Sequence, residues 1–133
     1  MTIFSKIVAG DIPAYKVAES NDFLAFLDIS PLTEGHLLVI PKKEVDYLFD
    51  LDDETYAGLL LFAKIVAVGL KKAIACDRIG VVVMGLEVPH AHIHLIPMNE
   101  ANDINFSNPK LKLSPGQFEA TAKKIKAALK EEY

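Results

Sequence analysis

The sequence predicts an antiparallel α+β domain, and three observations carry that expectation. Strand-length apolar stretches at 15–19, 23–28, 36–40, 79–84 and 90–96 are set apart by turn-forming residues. Two longer stretches, 52–75 and 114–129, repeat their apolar residues at helical spacing. Only the first of these helices lies between two strands, so the strands must pair largely with antiparallel neighbours in a sheet of about five.

Taken in order, Phe4 to Gly10 reads as a short helix before Pro13. Tyr15 to Glu19 is a brief strand ended by Ser20-Asn21-Asp22, which turns the chain into Phe23-Leu24-Ala25-Phe26-Leu27-Asp28. This second strand is apolar on both faces until Asp28, and Ser30-Pro31 breaks it, so Asp28 marks a strand end. The strand from His36 to Ile40 lies between Gly35 and Pro41, and Lys42 to Leu51 is a link with room for one helical turn.

Asp52 or Asp53 then caps a long helix, Glu54 suits its first turn, and Leu59, Leu60, Ala63, Val66, Ala67, Leu70 and Ile74 recur at helical spacing. Leu61, Phe62 and Ile65 widen that stripe, so more than one face needs cover and a homodimer is expected. Ile79 to Met84 is a β-branched run expected as a central or dimer-edge strand. Gly85 to Pro89 is a tight connection, and His90 to Ile96 is the last strand, paired antiparallel with it. After a polar loop from Asn99 to Lys112, Ser114-Pro115-Gly116-Gln117 supplies a cap, Pro at the first helical position and Gln at the third. Phe118, Ala122, Ile125 and Leu129 share one face of the C-terminal helix this opens.

A chain of 133 residues, 51% hydrophobic and 24% charged, suffices for one core, and a single domain over 1–133 is expected. The net charge of −4 gives no general attraction for nucleic acid or an anionic membrane surface, so a phosphate-bearing ligand must be held by a local site. Cys76 is the only cysteine and can form no internal disulfide, and the first residues lack a signal-peptide pattern. The apolar window from Tyr56 to Leu70 is interrupted by Lys64 and falls short of the ~20 residues a membrane span requires. A cytoplasmic location without membrane contact is the default expectation.

All four histidines converge on two segments: His90, His92 and His94 alternate in Pro89-His90-Ala91-His92-Ile93-His94-Leu95-Ile96-Pro97, and His36 opens His36-Leu37-Leu38-Val39-Ile40-Pro41. In an extended strand alternate residues share a face, so three imidazoles would line one side while Ala91, Ile93 and Leu95 enter the core. An imidazole with a pKa near ~6.5 serves as nucleophile, general base or donor to phosphate oxygens. Mutual repulsion keeps such a cluster from charging fully, and a mixture of neutral and charged rings suits attack at phosphorus. Two strand histidines plus a distant one can also build a three-ligand zinc site, so zinc at the cluster is a rival reading, as is a solvated polar sheet face.

His-Ala-His-Ile-His-Leu-Ile resembles the His-φ-His-φ-His-φ-φ motif of the histidine triad (HIT) family, φ being apolar. Ile3-Phe4-Ser5-Lys6-Ile7, Ile12-Pro13, Phe26-Leu27-Asp28-Ile29-Ser30-Pro31 and His36 to Lys42 resemble the family's other landmarks in the same order. The resemblance implies the HIT-like fold and a homodimer that binds a purine nucleotide. It implies hydrolysis or transfer of a nucleoside monophosphate group from a phosphoramidate, acyl phosphate or dinucleoside polyphosphate, with no cofactor required. By the same resemblance His92 is the nucleophile that forms a covalent nucleotidyl-imidazole, His94 contacts phosphate or leaving group, and His90 with His36 supports them. Asp28 matches the ribose-binding position, and Phe4, Ile7, Phe26, Ile29 and Leu38 match positions lining the base pocket.

The chain departs from the family pattern just upstream of the triad. Many members carry an Asn, a longer glycine-containing loop and a polar pair there, whereas this chain has Met84-Gly85-Leu86-Glu87-Val88-Pro89, and Lys42-Lys43-Glu44 replaces a Lys-Lys-His ending. Fewer phosphate donors follow from that loop, which keeps a nucleotide-binding regulatory module with little catalysis as an alternative.

Overall fold

Helix boundaries are written in side-chain caps. In the computed structural model, which describes residues 1–130, α1 (Ile3–Ala9) starts where the Thr2 hydroxyl accepts the Ser5 N–H. The long helix α2 (Asp53–Ala73) starts at Asp52, whose carboxylate accepts the Thr55 N–H, and its last turn carries Lys71 and Lys72 against the negative end of the dipole. The third helix, α3 (Pro115–Leu129), opens on the expected reciprocal Ser114–Gln117 capping box. The last three residues of the expected 1–133 domain lie outside the described residues.

Between the helices run β1 (Lys16–Glu19), β2 (Phe23–Leu27), β3 (Leu37–Pro41), β4 (Arg78–Val82) and β5 (Ile93–Met98), in the spatial order β1-β2-β3-β5-β4 with every neighbouring pair antiparallel. This is the α+β, five-stranded antiparallel architecture that the sequence predicts. Of the two positions expected for β4, the structure gives it the sheet edge. The link from Lys42 contains one 3-10 turn at Leu48–Asp50, and the polar loop after β5 contains another at Ala101–Ile104.

The last strand is shorter than expected: β5 begins at Ile93, not His90. The backbone from Val88 to Ala91 is engaged elsewhere, since His90 N–H donates to the Val88 carbonyl and Ala91 N–H to the Val45 carbonyl in the loop after β3. Side-chain alternation nonetheless survives the irregular stretch, for Ala91, Ile93 and Leu95 all enter the main core.

Strand alternation divides the interior in two. Ala25, Leu27, Leu37, Val39, Ile93 and Leu95 face α2 and α3. Leu24, Phe26, Leu38 and Ile40 face the other way, onto Phe4 and Ile7 of α1. Gly69 lets α3 approach α2 closely, because a Cβ there would lie 2.5 Å from Leu129 Cδ2.

Gly35 fixes where β3 enters the sheet. Its φ of +89° is a left-handed conformation, and a Cβ would stand 2.9 Å from Ile74 Cγ1 and 3.2 Å from Leu70 Cδ1. Gly35→Ala is therefore expected to cost about 1–3 kcal/mol in denaturant unfolding. Because His36 is the next residue, the same variant should lower catalytic rate, and unchanged unfolding and rate would contradict this assignment.

Candidate active site

β3 and β5 are paired so that Leu38 stands opposite His94, which places His94 on the α1 side of the sheet beside His36, the residue just before β3, which starts at Leu37, not at His36 as expected. Both rings are buried, His36 to 1% exposure and His94 to 6%. The hydrogen-bond partners decide where their protons sit. Leu32 N–H donates to His36 Nδ1 at 3.0 Å, so the neutral His36 ring carries its proton on Nε2. That Nε2–H donates to His94 Nδ1 at 2.9 Å, which leaves the His94 proton on Nε2.

A second relay fixes His92. Its Nδ1 lies 2.7 Å from the His90 carbonyl, an acceptor only, so Nδ1 carries the proton and Nε2 keeps a free lone pair. His90 is held in turn by Nε2–H donation to the Pro41 carbonyl at 2.8 Å and by the Thr2 hydroxyl donating to Nδ1 at 2.8 Å. Glu44 closes this network by accepting from Thr2 N–H at 2.7 Å and from the Ser5 hydroxyl at 2.6 Å. Those bonds, Ser5's first, hold the Glu44 carboxyl below its usual range. The acidic residue at this departure from the family pattern thus anchors α1 over His90.

Burial pushes His36 down to about 3, with His94 and Lys110 adding, and burial pushes His94 down to about 4, with His92 adding. Burial also lowers His90, against the Pro41 carbonyl and Glu44. Burial raises the Asp28 carboxyl; the Ser30 N–H, His92 and Lys110 oppose that shift and Glu87 adds to it. Asp28 Oδ2 and His36 Nε2 are 3.6 Å apart, but a ring held neutral whose proton goes to His94 makes no ion pair there.

These groups meet at a cavity of about 520 Å³ lined by His92, His94, Asp28 and the Met84 to Val88 loop. Phe4, Ile7, Phe26, Ile29 and Leu38, the residues matched to a base pocket, line it too, although Ile29 is 71% exposed. Phe4, Ile7, Phe26 and Leu38 are also buried members of the smaller core. Asp28 likewise combines two roles, since Oδ1 accepts the Ser30 N–H at 2.8 Å in a local turn while the residue lines the cavity.

The three imidazoles do line one side of the strand, with His90 and His92 against Phe4 and His92 against His94, but they are not equally accessible. His90 is fully buried under Thr2 and Phe4, and neither it nor His36 lines the cavity. Both are hydrogen-bonded to rings that do, His36 to His94 and the His90 carbonyl to His92. Sequence reasoning missed Phe106 and Lys110, which line the cavity from the loop after β5. A lone aromatic within the polar run Asn102 to Lys112 was the available signal.

The HIT domain family matches residues 9–101, and the chain belongs to that family. An adenosine 5'-monophosphoramidase of Schizosaccharomyces pombe is 38% identical over 134 residues, covering 96% of this chain and 98% of that protein. Another from Saccharomyces cerevisiae is 40% identical over 103 residues, covering 74% and 63%. Among solved structures, a Hit-like protein from Bartonella henselae superimposes with a TM-score of 0.84 at 36% identity, covering 96% of this chain and 95% of that one. A zinc-bound histidine triad family protein from Mycobacterium smegmatis gives 0.83 at 30%, covering 97% and 93%.

The donor set itself bears on zinc at the cluster. Asp28, His36 and His94 bring one donor atom each within 4.8 Å of one another. A divalent ion there would need the Nε2 lone pair of His36, yet that atom carries the proton because Nδ1 accepts from Leu32. Moving the proton to Nδ1 would set two donors against each other in a buried site. The three residues do not suit a metal.

Proposed function

We propose that this chain hydrolyses a purine nucleoside 5'-phosphoramidate or a related nucleotidyl compound through a covalent nucleotide on His92. The observation that carries this reading is the fixed tautomer of His92, with Nδ1–H on the His90 carbonyl and the Nε2 lone pair left for attack in a residue that lines the cavity. The adenosine 5'-monophosphoramidases named above support the reaction class.

In the first step Nε2 forms a bond to the α-phosphorus as the bond from phosphorus to the leaving nitrogen or oxygen breaks with its electron pair, a leaving nitrogen having first taken a proton from water so that it departs as the neutral amine. The imidazole becomes cationic, and its Nδ1–H bond to the His90 carbonyl strengthens as that charge develops. The neutral His94 ring, with its proton on Nε2, donates to the phosphate or the departing atom, oriented by His36. Water then attacks phosphorus, a proton is released, the P–N bond breaks, and the nucleoside monophosphate departs from a regenerated imidazole. Asp28 accepts from the ribose hydroxyls, and the aliphatic and phenylalanine walls hold a flat purine with loose selectivity, since apolar contacts discriminate by only ~1–3 kcal/mol.

No metal enters this scheme, which depends on positioning and charge. Turnover of adenosine phosphoramidate should therefore persist in excess chelator, and a loss that added zinc restores would overturn the metal-free reading. Binding of AMP without turnover by the purified wild-type protein would instead favour the regulatory module.

The functional unit is proposed to be a homodimer. Leu61, Ile65 and Val68 of α2 are exposed, as are Val81 and Val83 at the β4 edge, and Val68 and Ile79 border one shared depression. A second copy would cover this face and the open edge together. Leu61→Glu combined with Val81→Lys should halve the mass in sedimentation equilibrium; an unchanged mass would place the interface elsewhere. Among the described residues no helix is long and apolar enough to cross a membrane.

A further inference from the structure

On the reading above the cavity receives an anion, yet little in its lining attracts one. Among the described residues Lys110 is the only lysine or arginine that lines it, against the carboxylates of Asp28 and Glu87. His36, at about 3, and His94, at about 4, bring no positive charge at neutral pH. The loop upstream of the triad, Met84 to Pro89, contributes Glu87 as its one polar side chain. A phosphate entering this site needs a compensating cation, and with His92 kept neutral for attack on phosphorus Lys110 is the side chain on this wall that supplies it.

Lys110 is held in place for that purpose. Its Nζ donates to the Phe106 carbonyl at 2.5 Å and to the Asn108 carbonyl at 3.1 Å, and stands 5.9 Å from the Phe106 ring centroid. An ammonium has three donors, so one remains for a ligand. Among the described residues no carboxylate lies within ion-pair distance of Lys110, while its charge acts on both Asp28 and His36. The Phe106 ring meets His94 edge-on at 4.9 Å and His36 at 6.1 Å, and Leu111 N–H donates to the Pro31 carbonyl at 2.8 Å. The segment is thereby tied at one end to the histidine pair and at the other to the turn that follows Asp28.

We propose that Lys110, steadied by Phe106, is the cationic phosphate contact of this site, donating its third N–H to a nonbridging oxygen of the bound nucleotide. The assignment rests on the nucleotide reading above and deepens it. The chain replaces polar donors upstream of the triad with a cation delivered from downstream of β5. Phe106 acts as a positioning residue that sets the direction of the ammonium and packs the His94 ring.

Titration calorimetry with AMP and with adenosine separates this proposal from the reading it rests on. Wild type should bind AMP more tightly than adenosine. Lys110→Gln should lose about ten-fold or more in AMP affinity, as expected for a charged hydrogen bond, while adenosine affinity stays within about two-fold. Lys110→Arg should recover most of the loss, and the salt dependence of AMP binding should weaken in Lys110→Gln. Phe106→Leu should reduce the same AMP preference by a smaller factor. An unchanged AMP preference in Lys110→Gln, or equal loss of both ligands, would overturn the role of Lys110 while leaving the nucleotide site standing. A wild type that binds neither ligand would overturn both.

Discussion

His92→Gln is expected to bind AMP within a few-fold of wild type and to lose turnover of adenosine phosphoramidate by roughly 10⁴-fold or more, the scale seen when a sole nucleophile is removed. The ring is nearly buried, with 7% exposure, and it packs edge-on against Phe4 at 5.1 Å and His94 at 5.0 Å. Glutamine retains an N–H donor for the His90 carbonyl but offers no lone pair capable of displacement at phosphorus. Single-turnover kinetics beside AMP titration check the separation of binding from chemistry. A loss below about ten-fold would remove His92 from the covalent role.

His36→Ala should combine the next largest effects. It leaves the Leu32 N–H without its acceptor, opens a cavity at a site with 1% exposure, and removes the donor that holds the His94 tautomer. A stability loss of about 2–4 kcal/mol is expected from the cavity and the orphaned donor together, with a fall in kcat of about 10²-fold from the disoriented His94. Urea unfolding and kcat measured on the same preparation check both. A variant with normal stability and rate would show that the His36 to His94 bond orients nothing.

The same two rings set an acid sensitivity. Their folded pKa values, about 3 and about 4, lie below the unfolded value near ~6.5, so below that value the unfolded chain binds more protons. Their stability contribution is complete above about pH 6.5 and is lost as pH falls toward the folded values. Asp28 runs the other way: its raised carboxyl contributes stability at low pH that is lost as pH rises through its folded value. Burial lowers His90 as well, so three histidines oppose one carboxyl, the urea midpoint should fall from about pH 6.5 to about pH 4, and His36→Gln should flatten that fall.

Patterns that are local in sequence were legible without the structure. The Ser114–Gln117 cap, the Asp52 cap, the hairpin around Ser20-Asn21-Asp22 and the alternation of Ala91, Ile93 and Leu95 all depend on neighbours within a few residues. The triad motif and its companion segments pointed to His92, His94 and Asp28, which the fold brings to one cavity. What escaped depends on contacts distant along the chain. His90 is buried because Thr2 covers it from 88 residues away, and β5 starts late because Ala91 pairs with Val45. Lys110 enters the site through its neighbours' carbonyls in a loop whose polar composition signals only solvent exposure.

The central claim is a nucleotide bonded to His92 during turnover. Steady-state reaction with a nucleotide-labelled phosphoramidate, quenched in alkali where a phosphorus–imidazole bond survives, followed by peptide mapping, tests it most directly. The expected result is label on His92, within the peptide that spans His90 to His94, and no label in His92→Gln. Label on another residue, or continuing turnover of a good substrate with no labelled protein, would contradict it.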